Sequence, residues 1–163
     1  PGLPDGEYWA RLIVGAKGGA VPVAGVPDSS GISVGLTLEV RTVLAVVYRK
    51  GNLTTGVTLA PISARYADDT VVVRVPMRRT GTAAYLGTAR ASLVNAKGDS
   101  LGADERPLAV YYDLDPRLEI PVGALPPGTY KVRVSISTDR SDLQPKIPLP
   151  AAPVRDSLEF TVP

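Results

Sequence analysis

The chain contains no histidine and no cysteine, so the side chains left for chemistry are carboxylates, hydroxyls, lysines and arginines. That removes Ser-His-Asp and Cys-His nucleophiles, imidazole or thiolate zinc sites, and disulfides. It leaves the compartment open, because secreted and periplasmic domains also fold without disulfides. Asp113 and Asp115 stand together in YYDLDPR, with Asp68-Asp69, Asp139 and Asp142 as further loop carboxylates. Paired carboxylates act as acid and base in glycosidases, and clustered carboxylate oxygens hold calcium. These aspartates match no calcium-loop spacing and stand where turns favour aspartate anyway. No catalytic residue, metal site or cofactor is expected, and the chain is not read as an enzyme.

The charge balance points the same way. Among 163 residues, 18 basic and 16 acidic side chains leave a net charge of +2, too small a surplus to argue for nucleic acid. Arg11, Arg41, Arg65, Arg74, Arg78, Arg79, Arg90 and Arg133 are spread through strand-like segments, either as solvent-facing positions or as a stacked basic face. No apolar run reaches the roughly 18 residues of a membrane span. Apolar residues at 44% suffice for a buried core, while 16 glycines and 16 prolines punctuate the chain and disfavour long helices. The chain starts at Pro1 without a signal-peptide pattern and reads as a processed chain or a fragment.

What remains is the chemistry of the backbone itself. In Gly31–Gly51, GISVGLTLEVRTVLAVVYRKG, the even positions are Ile32, Val34, Leu36, Leu38, Val40, Thr42, Leu44, Val46 and Tyr48. This period of two marks an extended strand. The odd face is polar at first (Ser33, Thr37, Glu39, Arg41) and apolar later (Val43, Ala45, Val47). At about 3.3 Å per residue the stretch spans roughly 70 Å, far beyond an ordinary strand. It is either the spine of its own sheet or a surface with which another chain pairs.

The elements around it are strands and turns. Pro-Asp-Gly at 4–6 launches Glu7–Val14, and 16–31 form a long glycine- and proline-rich loop. Leu-Pro-x-Gly-x-Tyr at 3–8 recurs at 125–130, each time followed by an alternating strand, a long loop and a second strand, Val154–Val162 in the later copy. Two matched units imply two copies of one fold. Between them, Val57–Tyr66, Thr70–Met77, Thr88–Val94, Leu108–Tyr112 and Arg117–Val122 read as strands, with a turn at Asn95–Asp99. Seven strands in this length fit an immunoglobulin-like sandwich, with Tyr130, and Tyr8 in the first copy, placed as tyrosine corners. Most of Trp9, Tyr8, Tyr48, Tyr111, Tyr112 and Tyr130 are expected as core or corner residues. The predicted fold is therefore all-β: a complete immunoglobulin-like β-sandwich at 52–163, preceded at 1–51 by the last two strands of a similar domain. A two-stranded hairpin is marginal alone in water, so other strands must complete the first domain, from preceding residues or from another chain.

The segments DGEYWARLIV, GISVGLTLEV and VVYRKG, within residues 5–51, resemble the PapD-like periplasmic chaperones of the chaperone–usher pilus pathway. They look like that family's penultimate strand, its alternating donor strand, and the strand end that leads into its second domain. The resemblance implies that Ile32, Val34, Leu36, Leu38 and Val40 are lent to an incomplete fibre subunit by β-strand addition. It also implies a basic pair in the cleft between domains that anchors the subunit's terminal carboxylate. Here Ala45 stands at the family's lysine position and Lys50 where a proline is usual. The nearby candidate cations are Arg41, Arg49 and Lys50. The expected function is thus a periplasmic chaperone that binds a protein partner by strand donation. The alternative is a structural or adhesive immunoglobulin-like module of an extracellular or cell-surface protein or filament, and self-association through the incomplete first domain is open in both.

Overall fold

The computed structural model describes residues 2–19, 21–22, 35–36 and 38–163, and all regular structure among them is β-strand. Among the described residues no helix is long and apolar enough to cross a membrane. Two compact units divide the chain: Tyr8–Arg49, and Pro1–Glu7 together with Lys50–Pro163.

The smaller unit is a β-ribbon. Strand β1 (Gly6–Lys17) pairs with β4 (Glu39–Lys50), and the short strands β2 (Val21–Pro22) and β3 (Gly35–Leu36) pair antiparallel with each other. The Gly18 N–H donates to Leu38 O at 2.9 Å at one end, and the Tyr8 and Tyr48 rings meet at the other, so β1 and β4 run antiparallel. The single strand expected over Gly31–Gly51 is seen here as β3 and β4. Residues 31–34 and 37 lie outside the described residues.

The larger unit opens with a hairpin interrupted by proline on both arms. β5 (Thr55–Leu59) and β6 (Ser63–Ala67) form one arm, β7 (Thr70–Arg74) and β8 (Met77–Gly81) the other, with β6 on β7 and β5 on β8. Pro61 and Pro76 stand in the gaps, where a residue without an N–H cannot continue a ladder. The Ala60 N–H bridges the break to Pro76 O at 2.9 Å. This splits Val57–Tyr66 and ends Thr70–Met77 early, relative to the strands read from alternation alone. At the tip, Asp68 and Asp69 have φ of 50° and 57°, the left-handed pair that a tight type I′ hairpin turn requires.

The remaining strands are β9 (Tyr85–Val94), β10 (Ser100–Val110), β11 (Arg117–Pro121), β12 (Gly128–Ser137) and β13 (Val154–Val162). One antiparallel sheet has the order β10-β9-β12-β13 and another the order β11-β7-β6. β10 begins well before the expected Leu108–Tyr112 segment and ends before Tyr111. As an edge strand it tolerates Asp104, Glu105, Arg106 and Pro107, which obscure its alternation.

Alternate residues of the two sheets meet in one core: Ala89, Ala91 and Leu93 of β9 and Val132, Val134 and Ile136 of β12 with Val71 and Val73 of β7 and Leu118 and Ile120 of β11. Among the described residues no polar or charged residue is buried. Each large side chain so buried contributes about 1.5–3 kcal/mol. Gly87 is fixed by this packing, because a Cβ there would lie 2.2 Å from Ser137 O and 2.5 Å from the Tyr85 ring.

Two tyrosines make opposite contributions. The Tyr130 hydroxyl donates to Pro126 O at 2.8 Å, reaching back four residues as a tyrosine corner does. Tyr85 is fully buried, yet its hydroxyl has no hydrogen-bond partner among the described residues. Burial, with Asp139 nearby adding to it, pushes this phenol up to about 12. Tyr130→Phe should therefore cost about 1 kcal/mol in denaturant unfolding, the net worth of one hydrogen bond. For Tyr85 the folded phenol stays neutral where the unfolded one, ionising near 10, loses its proton. Stability is then whole below about pH 10 and falls as pH climbs through about 12. Tyr85→Phe should flatten that alkaline loss and leave the protein at least as stable at neutral pH. An unchanged pH dependence would contradict the assignment.

Candidate functional site

The repeated sequence unit builds the same element twice. Tyr8 opens β1 and Tyr130 opens β12, each after the same Leu-Pro-x-Gly-x turn. Each strand pairs antiparallel with a strand that follows a long connection, β4 for β1 and β13 for β12. Each pair also begins with a tilted aromatic contact. Tyr130 and Phe160 have centroids 6.0 Å apart at 31°, and Tyr8 and Tyr48 have centroids 6.4 Å apart at 33°. The surroundings differ. β12 lies between β9 and β13, and its Tyr130, Val132, Val134 and Ile136 are buried in the core. The matching residues of β1 are Tyr8, Ala10, Leu12 and Val14, and among the described residues β1 pairs with β4 alone.

The ribbon therefore exposes side chains of the kind that β12 buries. Tyr8 and Tyr48 fix one face, and strand alternation adds Leu12 and Val14 from β1 and Val40, Leu44 and Val46 from β4. The opposite face carries Trp9, Ile13, Val43 and Val47 among Arg11, Glu39, Arg41 and Arg49. Ile13 is 62% exposed, Leu38 64% and Val40 52%. Large exposed apolar patches are uncommon on monomeric proteins and are where partners bind. Trp9, Tyr48 and Tyr112 are exposed rather than in the core.

Leu38 and Val40 stand at the end of the ribbon where β1 runs out into Gly-Ala-Lys-Gly-Gly at 15–19. Leu38 O accepts from Gly18, so the facing backbone carries almost no side chain there. Ile32 and Val34 lie outside the described residues, and for Leu36 the backbone alone is described.

The candidate cations do not converge. Arg41 pairs with Glu39 at 2.7 Å, and Lys50 donates to Leu3 O. Arg49 shares the Arg41 face but sits eight residues along β4, about 26 Å at strand spacing. Ala45 is exposed on β4 between them. The loop aspartates serve the sandwich: Asp115 pairs with Arg74, and Asp113 with Arg78 at 3.6 Å. Asp142 binds Arg140 through both oxygens, at 2.6 Å each, which holds its carboxyl below the usual range. Arg140 also reaches Leu108 O at 2.9 Å and so ties down the 139–153 connection.

Sequence reasoning placed the partner-binding residues at Ile32, Val34, Leu36, Leu38 and Val40, of which only Val40 lies in β4, and did not single out Leu12 and Val14 of β1, which share the Val40 face, or Ile13 on the opposite face. Their signal was present in the repeat, since Leu12 and Val14 stand where β12 has Val134 and Ile136. No protein-family model matches the chain, and neither a curated protein nor a solved structure does.

Proposed function

We propose that this protein is a periplasmic, PapD-like chaperone that binds surface-fibre subunits by donating a strand. The observation that carries the reading is the twofold use of one strand pair, with its apolar face buried in β12–β13 and exposed in β1–β4. The order β10-β9-β12-β13 against β11-β7-β6 and the Tyr130–Pro126 bond are what an immunoglobulin-like sandwich would give, and so support reading the ribbon as the end of a second such domain.

In this reading the ribbon has two parts. Tyr8, Leu12, Val14, Leu44, Val46 and Tyr48 belong to a first sandwich that further strands complete. The distal end, with Leu38 and Val40 and the preceding Ile32, Val34 and Leu36, enters the groove of a subunit that lacks a strand. Backbone hydrogen bonds supply affinity there and alternate side chains supply register. With Ala45 where the family has its lysine, recognition rests on strand pairing and apolar fit. The periplasmic location follows from the client class. No cofactor takes part.

The test is co-purification of the protein with the fibre subunits encoded beside its gene. Leu38→Glu and Val40→Glu each place a charge in the donor end and should weaken retention about tenfold or more. Leu44→Glu should instead lower the stability of the completed first sandwich. Retention unaffected by Leu38→Glu and Val40→Glu would sink the donor assignment. A product that self-associates through the ribbon and captures no subunit would favour the structural or adhesive module.

A further inference from the structure

The outer face of the four-stranded sheet alternates long cations with short hydroxyls. The register sets Ser135 of β12 between Arg90 of β9 and Arg155 of β13. Arg133, two residues along β12, stands between Ser92 and Ser157. With strands about 4.8 Å apart and about 6.6 Å for two residues along a strand, the three arginines root some 8–10 Å from one another around Ser135. Serines between them leave a solvent-open concavity of about 680 Å3 under the guanidinium groups.

The charge in this concavity is only partly answered. Arg90 has Glu105 at 3.1 Å, and Lys131, one step further along β12, has Glu159 at 3.5 Å. Asp156 at the rim already accepts the Ser157 N–H at 2.7 Å. The Arg133 and Arg155 side chains have no hydrogen bond or ion pair among the described residues. Arg74, Arg78, Arg106 and Arg117 by contrast each have a carboxylate close by. Two unanswered guanidinium groups beside a hydroxyl are the donor set for a tetrahedral oxyanion, since the planar fork binds phosphate or sulfate bidentately and serine adds a third donor.

We infer that this face is a binding site for a phosphate or sulfate group, held by Arg133, Arg155 and the Ser135 hydroxyl, with Arg90 at its edge. It is independent of the β1–β4 ribbon and of strand donation. The site is open to solvent, so its affinity is modest and falls with added salt.

The test uses the whole chain, with inorganic phosphate and inorganic sulfate titrated at low ionic strength while amide chemical shifts are followed. Saturable shifts confined to the backbone around Arg133, Ser135 and Arg155 are expected. Arg133→Ser and Arg155→Ser should each weaken binding about fivefold or more, and Arg117→Ser on the other sheet should leave it unchanged. A parallel arm sediments the protein with phosphatidylglycerol or phosphatidylcholine vesicles. Retention on the former alone, lost in the Arg133→Ser/Arg155→Ser double variant, identifies a lipid head group as the source of the phosphate. Saturable shifts without vesicle retention identify a free or ester-borne anion. Non-saturating shifts, or shifts that persist unchanged in the double variant, would overturn the site.

Discussion

An apolar strand pair in water must be covered, and that constraint organises this protein. Two antiparallel strands satisfy one backbone edge each but leave two faces and two outer edges open. When the side chains on those faces are leucine, isoleucine, valine and aromatic residues, the cost of leaving them wet rises with every residue added. The chain meets this problem twice with nearly the same element. In the larger unit β12 lies between β9 and β13, and its apolar residues are buried against β7 and β11. In the smaller unit β1 and β4 have the same turn, the same opening tyrosine and the same aromatic contact, and their apolar residues are exposed.

The larger unit shows what a closed solution needs. Its core is free of buried polar residues, its opening hairpin turns on two aspartates in left-handed conformation, and its prolines fall where the ladder is already broken. Its long connection before β13 is held by Arg140 rather than by regular structure. All of these devices lie within the larger unit. The sandwich has its own buried core, while the apolar side chains of the ribbon are exposed.

Much of this was legible in the sequence, and the limits were physical. Period-two alternation gave β4, β7 and β12, because side-chain direction in a strand is set by the backbone alone. The Leu-Pro-x-Gly-x-Tyr repeat gave the paired architecture and the Tyr130 corner. β10 was half missed because an edge strand needs no apolar face along its whole length, and its charges read as loop. The prolines of the opening hairpin were visible, but that both arms would break opposite each other depends on register, which spacing does not reveal. The exposure of Trp9 and Tyr48 was not legible either, since an aromatic residue on an alternating strand looks the same whether its sheet is complete or not. The arginine cluster around Ser135 is a product of register across three strands, and no linear motif records it.

The central claim is that β1 and β4 await cover that β12 and β13 already have. Amide hydrogen exchange, measured on the chain alone and in complex with a fibre subunit, tests it most directly. The account predicts rapid exchange in β1 and β4 alongside strong protection of β9 and β12 in the free chain, with the Leu38–Val40 end becoming protected in the complex. Protection of β1 and β4 equal to that of β12 in the free monomer would contradict it.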